Sequence, residues 1–454
     1  MENMKYIYIA LIGLFFTSCK KDWLDAKPSN SLVVPTKIED FQALLDNSVL
    51  MNQNESGAYA ETSSGDFQVS DNSFSTFAAA YRNSYTWSAA TDFYEGTDVN
   101  WRSAYQRILN ANLALEGITT IERSSLNKEN WDNVKGSALF YRAYNFYVLA
   151  QQYCKPYSES AGSDLGIPLR LISNINEPSK RATVNNTYNR IINDLTEAIA
   201  LLPTTISYKT RPSRPACYAM LARVYLSMSN YPAALVNATA CLKLYNKLID
   251  YNTLNSANSY PIPQLNDEII YQTRLGGVAL FSSANLNVTP ELIALYHSND
   301  LRLKLFYEKS TTNTSFKGSY DGSRFFFSGL AVDELLLIRS ECNARAGNLN
   351  DAMEDLNTLA KNRWNNESAF VEFNTTDKEL AISKVLEERR KELCFRGLRW
   401  TDLRRLNQEN KRQVTLTRIL KGQTYQLLPN DPKYTFPIDL NEIMISGIEQ
   451  NNRF

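Results

Sequence analysis

The chain is predicted to be mainly α-helical, a scaffold of helical hairpins with a more irregular, aromatic-rich region packed over it. Two observations point to the scaffold: apolar residues recur at helical spacing from about residue 98, and two later segments repeat one helix–turn–helix pattern. A third points to the overlay, because the polar stretches 52–97 and 248–329 carry too many rings to be disordered linker.

Taken in order, the chain opens with a basic Lys5 and an apolar run from Tyr6 to Phe16, shorter than the about 20 residues a membrane-spanning helix needs. Small residues and Cys19 follow, so residues 1–18 resemble a bacterial lipoprotein signal peptide, with Phe16 standing where such signals usually have Leu. Cleavage before Cys19 would leave an amine and a thiol for acyl chains, and more than one chain is what stable anchoring requires. The mature chain is then 19–454.

The scaffold is expected over about 98–247 and 330–410. Trp101, Tyr105, Ile108, Asn112 and Leu115 share one helical face; Leu139, Ala143, Phe146, Ala150 and Tyr153 share another. Val184, Tyr188, Ile191, Leu195, Ala198 and Leu202 repeat the spacing between a capping Thr183 and a closing Pro203. Ala222, Ser229, Asn230, Tyr231 and Ala234 match Ser340, Gly347, Asn348, Leu349 and Ala352, the small-residue and turn positions of tetratricopeptide-like hairpins. Segments 52–97 and 248–329 are expected to be irregular and ligand-facing, with a strand-like run at Glu268 to Thr273.

Composition narrows the function. Lys plus Arg and Asp plus Glu are 48 each, so no net field draws nucleic acid. No later apolar run approaches membrane-spanning length, which makes the body tethered by its lipid rather than embedded. With Cys19 taken by lipid, Cys154, Cys217, Cys241, Cys342 and Cys394 are an odd remainder without metal or redox spacing, expected as buried thiols. His297 is the only histidine, so a Ser-His-Asp or Cys-His site would have to use it. No catalytic residue, metal or cofactor is expected.

The last third carries a motif. Glu388-Arg389-Arg390-Lys391-Glu392-Leu393 and Phe395-Arg396-Gly397-Leu398-Arg399-Trp400-Thr401-Asp402-Leu403-Arg404-Arg405 resemble the signature of the SusD/RagB family of outer-membrane nutrient-binding lipoproteins. Other landmarks stand in order: Asn110-Ala111-Asn112, Arg142-Ala143-Tyr144, Gly166-Ile167-Pro168-Leu169, Arg181, Asp194-Leu195, Leu336 to Glu341, Phe436-Pro437-Ile438 and Gln450-Asn451. One departure is Arg396, where the family usually carries Glu. The resemblance implies a SusD-like fold at the outer membrane, facing the cell exterior, that holds oligosaccharide for a SusC-like TonB-dependent transporter and does not cut it.

The interleaving of Arg389, Arg390, Arg399, Arg404 and Arg405 with Glu387, Glu388, Glu392 and Asp402 predicts local ion pairs, not an anion site. Sugar recognition needs flat apolar faces and planar polar groups. Trp87 and Tyr94 are the expected stacking rings, with Asp92, Arg82 and Asn100 as hydroxyl partners; Arg274, Phe281 and Tyr320 form a second group. Trp101 is expected in the core. Two rivals are a peptide-binding member of the same family and a glycoside hydrolase, which would need two carboxylates across one cleft.

Overall fold

Helices begin where a short polar side chain can take up the first free amides. Those of seven residues or more are α1 (Ile38–Leu45), α2 (Ala79–Tyr85), α3 (Val99–Thr119), α4 (Lys128–Tyr153), α5 (Val184–Leu201), α6 (Arg214–Ser227), α7 (Tyr231–Leu244), α8 (Val332–Ala346), α9 (Leu349–Lys361), α10 (Lys378–Glu392), α11 (Arg399–Leu406) and α12 (Leu440–Ser446). Asp98, Thr183, Ser213, Asn230, Asp377 and Asp439 each accept an amide of the helix that follows. The computed structural model describes residues 35–277, 281–282, 285–317 and 320–454, and Ile38–Phe454 form one compact unit. Residues 1–18 and Cys19 lie outside the described residues. Among the described residues no helix is long and apolar enough to cross a membrane.

Chain neighbours pack on one another: α3 on α4, α4 on α5, α5 on α6, α6 on α7, α7 on α8 and α8 on α9. The two matching hairpins share their turn geometry, since Ser229 (φ 57°) and Gly347 (φ 90°) both take the left-handed conformation. Ala222, Ala234, Ser340 and Ala352 are fully buried where the helices cross, and the Ser340 hydroxyl donates to the Ala352 carbonyl at 2.7 Å. Burial of this face, and not helix propensity, supplies most of each hairpin's stability.

The overlay is more ordered than the sequence suggests. Over 52–97, where loop is expected, short helices form at Ala58–Ser63, at Asp71–Thr76 behind its Ser70 cap, and at α2. Among the described residues three antiparallel two-stranded ladders belong to the overlay, Phe67–Gln68 with Asn287–Val288, Ile269–Tyr271 with Leu330–Ala331 and Tyr307–Lys309 with Thr314–Phe316, and two lie outside it, Leu165–Pro168 with Arg181–Thr183 and Leu416–Leu420 with Gln423–Leu427. Gly166 sits so close to Thr183 and Thr187 that a Cβ there would collide with them. A second apolar core, which includes Phe67, Tyr85, Phe281 and Phe326, joins the overlay to Phe395 of the signature segment.

Buried charge ties overlay to scaffold. Arg302 pairs with Asp300 at 2.7 Å and reaches Glu388 (2.6 Å) and Glu392 (2.7 Å) on α10. Arg363 joins Glu392 (2.8 Å) to Glu268 (2.9 Å). Glu392 therefore pairs with arginines from outside the signature, a correction to the local pairing predicted above, whereas Glu388 shares Arg302 with a local partner, Lys391, at 2.5 Å. The signature arginines also reach outward: Arg390 to Asp66 (2.6 Å) and Arg405 to Glu341 (2.7 Å), with Asp402 as the shared local partner of Arg389 (2.8 Å) and Arg405 (2.9 Å). Arg396, the departure from the family pattern, pairs with Asp333 and lies over the rings of Tyr320 (4.6 Å) and Phe327 (4.9 Å). The five described cysteines are buried free thiols.

Candidate ligand-binding site

The N-terminal half of α3 forms the floor of a cleft of about 780 Å³. Its side walls are the loop 168–179 and helix α12. Each wall is fixed to α3 by named bonds. Tyr105 donates its hydroxyl to the Pro168 carbonyl at 2.8 Å, and Asn112 donates to the carbonyls of Arg170 (2.9 Å) and Ile172 (3.2 Å). Asn112 is itself oriented by Arg142 at 3.0 Å, which grips Asp194 with two bonds of 2.8 Å. The landmarks Asn112, Arg142 and Asp194 thus build a buried brace behind the loop. The Ser173 amide donates to Glu116 at 2.6 Å on the outer side.

The opposite wall depends on two capping aspartates. Asp439 accepts the Asn441 amide at 2.9 Å, capping α12, and its other oxygen accepts the Asp98 amide at 2.7 Å. Asp98 in turn caps α3 through the amides of Asn100 (2.9 Å) and Trp101 (3.2 Å) and accepts the Tyr153 hydroxyl. Burial raises the Asp98 pKa to about 6 against those hydrogen bonds. Both carboxylates are occupied by backbone amides.

What the cleft offers a ligand is one half-buried ring and planar polar groups. Tyr105 lies in its lining 4.8 Å from the buried Trp101, which packs edge-on against Tyr153, and Arg102, Gln106, Arg170, Asn441 and Glu442 surround it. Arg102, Gln106 and Asn441 are exposed. The rim is apolar, with Ile175 76% and Ile445 86% exposed. Sugar rings stack on such faces while adjacent hydroxyls meet amide, guanidinium and carboxylate groups.

The sequence-predicted residues do not assemble into a cleft of their own. Trp87 is 3% exposed, donates its indole N–H to the Ser63 carbonyl at 3.1 Å, and lies under the Arg418 guanidinium at 4.7 Å. Tyr94 is buried with its hydroxyl on the Pro437 carbonyl at 2.7 Å. Phe281 stacks on Phe326 in the second core, and Tyr320 is buried with its hydroxyl on Glu268. Asn100 is buried and donates to Gln152 at 3.3 Å. These five are corrected: polar neighbours in sequence suggest exposure, but long-range packing takes up each side chain.

Asp92, Arg82 and Arg274 remain nearer the surface. Asp92 is exposed and closes a turn by accepting the Glu95 amide at 3.0 Å; Arg82 lies 3.7 Å from Glu95; Arg274 pairs with Asp321 at 2.8 Å beside Phe325. Trp101 is buried in the core, as the sequence pattern expects. That pattern gives Tyr105 no ligand role, because amphipathic spacing does not show that one end of a buried stripe borders a cleft. His297 stacks on Trp364 at 4.8 Å and is not part of the cleft lining.

A helical scaffold carrying an irregular overlay, with a half-buried ring and planar polar groups in a cleft and both cleft aspartates occupied as caps, defines a ligand-capturing protein. Comparison with known proteins agrees: a family described as "Starch-binding associating with outer membrane", SusD-like, matches residues 22–226, and the SusD family matches residues 332–452. The chain belongs to the SusD/RagB family. Among solved structures, a SusD superfamily protein from Bacteroides thetaiotaomicron VPI-5482 matches with TM-score 0.75 and 19% identity, over 92% of this chain and 100% of that one. A SusD-like carbohydrate binding protein from Bacteroides vulgatus ATCC 8482 matches with TM-score 0.67 and 19% identity, over 91% and 97%. A laminarin binding SusD-like protein matches with TM-score 0.66 and 16% identity, over 91% and 98%. No curated protein matches the chain by sequence.

Proposed function

We propose that the protein is a surface lipoprotein, anchored through Cys19, that captures oligosaccharide in the cleft on α3 and passes it to a SusC-like TonB-dependent outer-membrane transporter without catalysis. The observation that carries this reading is the half-buried Tyr105 ring, beside the buried Trp101, set among Arg102, Gln106, Asn441 and Glu442. The carbohydrate- and laminarin-binding relatives support the substrate class. A few stacks and hydroxyl bonds give an affinity of order ~1 mM to ~1 μM, weak enough for release.

Calorimetry of the soluble chain against a polysaccharide panel tests it. One glycan should bind, and Tyr105→Ala should weaken it about tenfold or more with circular dichroism unchanged; equal affinity would remove the cleft from the reading. Peptide capture is the second reading, favoured by the exposed Ile172, Ile175 and Ile445 on the rim. Heat with peptides and none with glycans would establish it.

A further inference from the structure

A second cavity of about 570 Å³ opens at the C-terminal end of α4, between the segments 155–165, 430–435 and 449–452. Its lining includes Ser163, Asn407, Asn430, Thr435, Asn451 and Asn452, hydroxyl and amide groups in the main, and on its inner side lies Arg404. Arg404 is 3% exposed. Two of its nitrogens donate to the carbonyls of Gln151 and Cys154, where α4 ends.

A helix C-terminus presents about half a negative charge. That leaves much of the buried guanidinium's charge without a counterpart. Among the described residues no carboxylate pairs with Arg404, and its Nε is buried without an acceptor. Of the other buried arginines, Arg302, Arg363 and Arg405 each hold two or more carboxylates, whereas Arg107, Arg181 and Arg418 hold main-chain carbonyls, Arg418 also lying 3.9 Å over the Tyr85 ring; Arg404 belongs to the second group and lines a cavity. Of the acids in the lining, Asp164 is held by Lys155 at 2.7 Å and Asp431 by Lys433 at 3.5 Å, while Glu449 is exposed. A buried cation short of one acceptor, in a wall of amides, fits a ligand that carries one carboxylate and several hydroxyls.

We propose that this cavity is a second saccharide site, distinct from the cleft on α3, that takes a uronic acid residue with its carboxylate on Arg404 and its hydroxyls on the surrounding amides. The site is independent of the α3 cleft, so the two can be tested apart.

The experiment is calorimetry of the soluble chain with oligogalacturonate and with the neutral galactose oligomer of the same length. Oligogalacturonate should bind at least about tenfold more tightly than the neutral oligomer. Asn452→Asp, at an exposed position, should weaken uronate binding about tenfold by adding a negative charge to the wall. Arg404→Gln should abolish it, and Tyr105→Ala should leave it unchanged. Equal binding of both oligomers, no uronate binding, or uronate binding that is insensitive to Asn452→Asp would overturn the proposal. Because Arg404 also caps α4, the pair of oligomers and the Asn452→Asp variant carry the test even where Arg404→Gln does not fold.

Discussion

Ser229 and Gly347 occupy the same place in two turns, with the same sign of φ, yet only one is glycine. The left-handed conformation costs a residue with a Cβ roughly 1–2 kcal/mol, offset in part by the extra chain freedom glycine loses on folding. Ser229→Gly should therefore raise stability by about 0.5–1 kcal/mol, read as a higher urea midpoint with an unchanged slope. Residue-scale function was the least legible part of the sequence. Trp87 stands among Ser, Thr and Asp, which suggested an exposed ring, but a left-handed φ of 53° and the distant Arg418 enclose it. Neither feature leaves a mark in the residues around it.

At the scale of elements, the loop 168–179 is a wall because α3 holds its backbone. Asn112→Ala would strip two carbonyls of their donor and leave Arg142 with one partner fewer. The expected cost is about 1–3 kcal/mol in melting experiments, with faster hydrogen exchange in 170–173 than elsewhere and weaker glycan binding. Uniform exchange across the chain would show that the loop is held by something else. Helices of this kind were legible in part: α5 runs between the predicted cap Thr183 and Pro203 and α3 begins where helical spacing does, since those signals are local, whereas α4 starts at Lys128 with no side-chain cap, ahead of the face read from Leu139. The joins between them were not, because Asn112 reading loop carbonyls some 60 residues on has no sequence pattern. The same limit explains the signature: its charges were visible, but Arg302, Arg363, Asp66 and Glu341, which pair with them, lie far away in the chain.

For the whole molecule, buried acids of two kinds set the response to pH. Burial raises Glu61 to about 7 and Asp98 to about 6, so the stability they contribute is present at low pH and lost as pH rises through those values. Glu341 and Glu392 are held down to about 2 by their arginines, against the cost of burial, so their contribution is present above the ordinary carboxylate range and lost as pH falls toward 2. Thermal stability should peak near pH 5 and decline toward both pH 8 and pH 3. Scanning calorimetry across that range checks it, and a melting temperature that climbs steadily from pH 5 to 8 would contradict the assignment of Glu61 and Asp98.

The brace behind the cleft also bears on redesign. Of the loop, Asn112 reads only main-chain carbonyls, and the side chains of Ile172, Ile175 and Ser179 at the mouth take no part in that anchoring. Those positions can be randomised in a display library while the framework stays put, which makes this protein a practical starting point for binders with new cargo preferences.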